Sequence, residues 1–148
     1  EFNIAREKEG EELCDFFRKC LRKLRDLTDR ASGKTDEQKE IIRKRIRERA
    51  EEYLKEPLDG RRFEEELLYY IEKMDITEEI TRLQSHFSLF DKELEKSGNG
   101  KKIDFILQEI NRETNTIASK SQHPDIIECT INMKDLISQL REQAANIE

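Results

Sequence analysis

Apolar residues recur along this chain at alternating intervals of three and four, the spacing that places them on one side of an α-helix. Short polar stretches with glycine, proline or serine divide the pattern into six segments. No segment shows the alternation and turn signals of a β-strand, so the predicted fold class is all-α with no sheet. The pattern predicts a first helix over residues 3–31 and a second from Thr35 to Glu56, which Pro57 ends. A third helix follows a cap at Asp59, and a fourth begins at a junction over residues 75–77. The fifth covers residues 101–121, and the sixth follows the break "SQHPD".

The loop between the first two helices is short and both helices are long. This predicts an antiparallel helical hairpin over residues 1–57. Residues 58–148 then form a C-terminal four-helix bundle that carries the polar site described below.

Composition narrows the class of protein. Among 148 residues, 42% are charged and 34% apolar, which with strong helical periodicity favours long helices over disorder. No apolar run is long enough to span a membrane, and no signal-peptide pattern opens the sequence. The cysteines, Cys14, Cys20 and Cys129, are three in number and lack CxxC spacing, which indicates reduced thiols. We therefore expect a soluble protein of the cytoplasm.

The net charge of -6 argues against nucleic-acid binding unless basic residues cluster locally. Two such blocks exist, "RKCLRKLR" at 18–25 and "RKRIRERA" at 43–50. Each is either a solvated helix face paired with neighbouring glutamates or a stripe that follows phosphates.

The helix "FILQEINRETNTIASKS", residues 105–121, has an unusual polar face of amides, hydroxyls and mixed charges. Glu109 and Glu113 lie one turn apart, and Thr116 and Lys120 continue their stripe. Two acids at this spacing repel each other unless a cation lies between them, and carboxylate oxygens are the ligands that Mg²⁺ and Mn²⁺ prefer. Phe105 on this face could stack on a base or pack against a partner helix.

Neighbouring segments offer further polar side chains. Glu79, Arg82 and His86 share one helix face at i, i+3 and i+7. If the helices pack together, a divalent metal could be held by Glu66, Asp75, Glu79, His86, Glu109 and Glu113. Glu and His at this spacing more often form interhelical salt bridges or an oligomer interface than a metal site, and no compact ligand motif such as HExxH is present.

The roles that this chemistry suggests are those of metal-assisted hydrolysis of a phosphodiester. Candidate catalytic residues are His86, Glu109, Arg112, Glu113 and Lys120. Candidate substrate-binding residues are Arg82, Gln108, Asn111, Asn115, Thr116 and Ser119. This polar face would line a buried or cleft-facing site. His123, before Pro124, is expected to be solvated or to cap the last helix.

Several of these segments resemble a known family. "DITEEITRLQSHF" (75–87), "GKKIDFILQEINRETNTIASKS" (100–121) and "LREQAANIE" (140–148) resemble the C-terminal half of the bacterial YicC/YloC family. "REKEG" (6–10) and "RRFEEE" (61–66) resemble its middle region.

The resemblance implies an endoribonuclease that depends on a divalent metal, Mn²⁺ or Mg²⁺, and acts in the cytoplasm in RNA turnover. It also implies a ring-like homo-oligomer, a hexamer, and an N-terminal α+β domain that has no counterpart in this sequence. Two other functions stay open: a non-catalytic RNA-binding or assembly module, and a purely structural helical oligomer.

Overall fold

The computed structural model describes residues 2–53, 60–96 and 100–147. These form six helices and no strand, which confirms the all-α prediction. The predicted helix end at Pro57, the cap at Asp59 and the domain boundary between residues 57 and 58 lie outside the described residues. The helices are α1 (Phe2–Ser32), α2 (Thr35–Tyr53), α3 (Gly60–Lys73), α4 (Thr77–Glu95), α5 (Gly100–Lys120) and α6 (Pro124–Ala144).

Four of these helices, α1, α4, α5 and α6, form an antiparallel bundle around one core. α1 and α5 each pack against both α4 and α6. The core consists of the periodic apolar residues of all four helices, and the ring centroids of Phe17 and Phe90 lie 5.9 Å apart at its α1–α4 contact. Burial of these stripes is the main force that holds the bundle together.

The predicted hairpin of α1 and α2 is wrong, and the bundle does not consist of the last four helices. The turn at Gly33 and Lys34 keeps helix-like hydrogen bonds, from Gly33 N to Asp29 O (3.0 Å) and from Gln38 N to Lys34 O (3.0 Å). These bonds close the last turn of α1 and open the first turn of α2, and among the described residues α2 packs mainly on α3. The stripe of α1 is instead covered by α4 and α6.

α2 and α3 pack on each other beside the bundle. The guanidinium of Arg47 lies 5.8 Å from the ring centroid of Phe63 at this contact. α2 is joined to the bundle at residues 121–123, because the buried Gln38 side chain accepts hydrogen bonds from the backbone N–H of Gln122 (3.0 Å) and His123 (3.3 Å).

The polar positions at the start of α4 follow from its first residues. The Asp75 carboxylate accepts hydrogen bonds from Thr77 N (3.2 Å) and Thr77 Oγ1 (2.7 Å), as expected for a polar residue just before a helix. Glu78 and Glu79 occupy the first turn, where the helix dipole favours negative charge. None of the described helices is both long and apolar enough to cross a membrane.

Candidate functional site

The first turns of α4 lie beside the last turns of α5, because the two helices are antiparallel neighbours. Glu79 and Arg82 point along one edge of α4, three residues apart. Glu113 and Lys120 are seven residues apart on the facing edge of α5. We call these four residues the charge cluster.

Opposite charges alternate across the α4–α5 seam. Lys120 Nζ lies 2.6 Å from Glu79 Oε1 and donates a second hydrogen bond to Asp75 O (3.2 Å). Arg82 Nε donates to Glu113 Oε1 (2.9 Å), while its Nη2 atom lies 3.6 Å from Glu79 Oε1. Arg82 therefore connects both carboxylates of the charge cluster.

The two carboxylates are buried and the two cations are partly exposed. The side chains of Glu79 and Glu113 are 3% and 8% exposed, against 46% for Arg82 and 29% for Lys120. An ionised carboxylate at such depth is tolerated because each has a basic partner. The hydrogen bond to Glu113 raises the pKa of the Arg82 guanidinium, so this cation stays charged.

One atom of the charge cluster is not satisfied. Glu79 Oε2 is buried and has no hydrogen-bond partner among the described residues. An unsatisfied buried acceptor costs about 1–3 kcal/mol, so its presence calls for a physical explanation. Glu79 therefore keeps an acceptor available for a further donor or cation.

The six predicted metal ligands do not come together. Glu66 is exposed on α3, 3.7 Å from Arg62, because α3 packs on α2 and not on the α4–α5 seam. The Asp75 carboxylate bonds to Thr77 at the start of α4. His86 and Glu109 lie one turn beyond Arg82 and Glu113, half-buried, and neither bonds to the charge cluster.

The fit of a divalent cation can be judged from the same charges. In the part of the chain that the structure describes, no three His, Cys, Asp or Glu side chains are placed to hold a metal ion. Glu79 and Glu113 are already neutralised by Lys120 and Arg82. The described side chains do not form a cage for a resident ion.

The predicted substrate-binding residues of α5 lie side by side on its outer surface. Together with Arg112, which was predicted to be catalytic, they line an open cavity of about 370 Å³, which we call the amide groove: Gln108, Asn111, Arg112, Asn115, Thr116 and Ser119. These side chains are exposed or half-buried, so they line an open groove and not a buried site. The α5 residues that do face a neighbouring helix, Glu113 and Lys120, lie at the edge of the apolar stripe.

The sequence also gave no indication of how closely His123 is bound. Its Nδ1 atom accepts a hydrogen bond from Asp125 N (3.0 Å) and caps α6, and its Nε2 atom lies 2.7 Å from Glu37 Oε2. The capping alternative is confirmed, and the side chain is buried instead of solvated. Because both ring nitrogens are engaged, His123 has no free nitrogen for a substrate.

The hydrogen bond from His123 affects the acid that it contacts. It is the main reason that the pKa of Glu37 lies below its usual range, with Lys34 adding a smaller effect. The contact between His123 and Glu37 is a structural one that links α6 to α2. In the sequence, the only indication of it was the proline that follows a polar residue at the start of α6.

Comparison with known proteins decides what family this arrangement belongs to. The family described as "Endoribonuclease YicC-like, C-terminal" matches residues 31–148. The chain belongs to the YicC-like endoribonuclease family. This confirms the resemblance seen in the sequence segments.

Two curated relatives are similar over nearly the whole chain. "Probable endoribonuclease YicC" of Haemophilus influenzae is 37% identical over 149 residues, covering 100% of this chain and 52% of the relative. The protein of the same name from Clostridioides difficile is 34% identical over 146 residues, covering 97% of this chain and 50% of the relative. The chain thus spans about half the length of these YicC relatives.

Proposed function

We propose that this chain contributes to endonucleolytic cleavage of RNA, with the charge cluster as the reacting site and the amide groove as part of the RNA surface. One observation carries the proposal: two buried carboxylates, Glu79 and Glu113, share a partly exposed arginine with a lysine beside them. The names of the relatives, "Probable endoribonuclease YicC", support RNA as the substrate.

The proposed chemistry uses the unequal exposure of the charge cluster. A phosphate that approaches the seam meets Arg82 first, because its side chain is 46% exposed. The five N–H donors of the guanidinium allow it to bond to the phosphate while it still faces a carboxylate. Lys120 would add positive charge beside the developing phosphorane.

A Glu113 carboxylate that has given up Arg82 becomes a proton acceptor. The attacking hydroxyl, from water or the ribose 2′ position, would lose its proton to this carboxylate as its oxygen bonds to phosphorus. The bond from phosphorus to the leaving ribose oxygen breaks, that oxygen takes up a proton from water, and Glu113 returns its own proton to solvent. The other predicted catalytic residues, His86, Glu109 and Arg112, are one turn away or on the adjoining groove.

Dependence on Mn²⁺ or Mg²⁺ is part of the proposal and rests on the family resemblance. Because the described side chains form no cage, the ion would be shared with the RNA phosphates, as Mg²⁺ commonly is in nucleic-acid enzymes. Such an ion supplies charge neutralisation at the reacting phosphate. Assembly into a hexameric ring and a cytoplasmic location are proposed on the same resemblance.

A second function is favoured by the closed pairing of the charge cluster. Alternating pairs across two helices also stabilise a seam without any chemistry. On this alternative the chain is a non-catalytic RNA-binding or oligomerisation module. It predicts RNA binding that weakens with salt and does not respond to a chelator.

The test measures cleavage of end-labelled RNA with Mn²⁺, with Mg²⁺ and with EDTA. The variants are Glu113→Gln and Glu79→Gln, with Glu66→Gln as the matched control on α3, and helicity is checked for each. The proposal expects chelator-sensitive cleavage that falls at least a hundredfold in the first two variants and is unchanged in the control. Full cleavage by folded Glu113→Gln would exclude this site.

A further inference from the structure

A second concave surface lies apart from the charge cluster, between α2 and α3. Its volume is about 810 Å³, within the range of cavities that hold small ligands. Ile42, Ile46 and Met74 give it an apolar wall, and Gln122 closes the side next to the bundle. This cavity is not used by the proposed cleavage chemistry.

Two arginines one turn apart line this cavity. Arg45 and Arg49 are exposed, and neither has a carboxylate within 4 Å among the described residues. The one hydrogen bond of Arg45 is to the neutral amide oxygen of Gln122 (3.1 Å). By contrast, Arg25 and Arg82 are paired with acids. Arg45 and Arg49 therefore keep unneutralised donors that fit a phosphate.

The segment of α2 that carries these arginines is basic. Residues 43–49 contain five basic residues and one acid, in the sequence "RKRIRER". In a chain of net charge -6, this is a local positive patch of the kind that contact with a polyanion needs.

An aromatic ring completes the cavity. Tyr70 of α3 lines it and is 44% exposed. Tyr69 contacts Tyr70 edge to face, with ring centroids 5.8 Å apart, which limits how far the ring can turn. An exposed aromatic ring beside paired arginines is the arrangement that stacks on a base and binds its phosphate.

The two acids of the cavity are consistent with a base as well. Glu48 and Glu52 also line it, and they would repel a bare phosphate. Carboxylates accept hydrogen bonds from the exocyclic amino groups of cytosine, adenine and guanine. The cavity thus offers donors for a phosphate, a ring for stacking, and acceptors for the edge of a base.

We propose that the α2–α3 cavity binds a nucleotide of single-stranded RNA, with the base on Tyr70 and the phosphate on Arg45 and Arg49. The inference rests on the proposed function for its choice of RNA. Gln122, which lines the cavity, is two residues along the chain from Lys120 of the charge cluster. A nucleotide bound in this cavity would set which phosphodiester of the same RNA strand lies at the cleavage site.

The test measures binding separately from cleavage. Fluorescence anisotropy follows a labelled single-stranded RNA across a salt series, and gels confirm that the RNA remains intact. The variant Arg45→Gln/Arg49→Gln is compared with Arg18→Gln/Arg22→Gln, an exposed arginine pair at the same spacing on α1. We expect at least tenfold weaker binding and a salt slope lower by about 0.7 for the cavity pair, because one phosphate contact is lost. The α1 pair should bind within about twofold of the unmodified chain.

Stacking is tested with RNA that contains 2-aminopurine, whose fluorescence is quenched on an aromatic ring. Tyr70→Leu should remove the quenching and weaken binding about five- to hundredfold, whereas Tyr70→Phe should keep both. Far-UV circular dichroism checks that α2 and α3 remain helical in every variant.

The outcomes separate this inference from the proposed function. Cleavage and binding that are unaffected in the cavity variants would overturn the cavity and leave the cleavage site standing. RNA binding that depends on Arg45, Arg49 and Tyr70, without any cleavage, would support the cavity and overturn the proposed activity. Equal losses in the cavity pair and the α1 pair would mean general charge attraction and would also overturn the cavity.

Discussion

Lys120 Nζ in the last turn of α5 lies 2.6 Å from Glu79 Oε1 in the first turn of α4, and this contact fixes the antiparallel register of the two helices. The carboxylate of Glu79 is 3% exposed, so Lys120 is its main source of neutralising charge. A buried ion pair of this kind changes the free energy of unfolding little when both partners are present, whereas removal of one partner destabilises the fold strongly.

Lys120→Met should therefore lower the free energy of unfolding by about 2–3 kcal/mol, because Glu79 would remain buried without its lysine. Urea unfolding followed by circular dichroism measures the change. Glu79→Met/Lys120→Met should be more stable than Lys120→Met alone, because no charge is then left unpaired. Lys92→Met, at an exposed position of α4, should be within about 0.5 kcal/mol of the unmodified chain. A double variant less stable than the single one would contradict the pairing.

His123→Ala should destabilise the chain by about 1–2 kcal/mol, because it removes the cap of α6 and the contact with Glu37. His123→Asn should recover part of the loss, since an asparagine side chain can still accept from the Asp125 N–H. Thermal unfolding of the three proteins provides the comparison. Equal destabilisation by alanine and asparagine would show that the cap contributes nothing.

Stability should depend on the ionisation of Glu37. Its folded pKa is lowered, mainly by the hydrogen bond from His123, so the contribution of its charge is present above the unfolded pKa of about 4.3. That contribution is lost as the pH falls through the lower folded pKa. The difference in unfolding free energy between the unmodified chain and Glu37→Gln should consequently narrow below about pH 4. Urea titrations at several pH values measure this difference in unfolding free energy. A difference that widens on acidification would contradict the prediction.

The three thiols should differ in reactivity. Burial raises the pKa of the Cys20 and Cys129 thiols, while Cys14 is only half-buried. Since the thiolate is the reactive form, iodoacetamide at pH 8 should label Cys14 much faster than the other two. Mass spectrometry of peptides gives the three rates. In 6 M guanidinium chloride all three should react alike, and fast labelling of Cys129 in the folded chain would contradict its burial.

The helices and their buried faces could be predicted because both depend on local sequence. The stripe that includes Phe17 and Leu24 in α1 and the stripe that includes Leu83 and Phe87 in α4 are buried as their period predicts. The break at residues 32–36 and the junction before Thr77 were also placed correctly.

The partners of these faces could not be predicted in the same way. α1 carries a stripe that would suit a hairpin with α2 as well as a bundle with α4 and α6. In the structure this stripe packs against α4 and α6, whereas α2 packs on α3. This choice depends on long-range packing, which the spacing of apolar residues within one helix does not encode.

The candidate site could be predicted only in part, because the sequence shows which residues share a helix face but not which helices pack together. The positions of Glu79 and Arg82 on one face of α4, and of Glu113 and Lys120 on one face of α5, follow from the helical repeat alone. Their alternating pairs, and the separation of Glu66 from them, required the packing of α4 on α5 and of α3 on α2.

The sequence by itself determined six helices, the buried faces of the four bundle helices, and membership of the YicC-like family through segments such as "QEINRETNT". Only the tertiary structure decided that α1 belongs to the bundle, that Arg82 joins Glu79 to Glu113, and that Arg45 and Tyr70 line one cavity. The physical reason is that the helical period fixes the direction of a side chain within its own helix. Which charge it meets depends on long-range packing, where many similar apolar stripes compete.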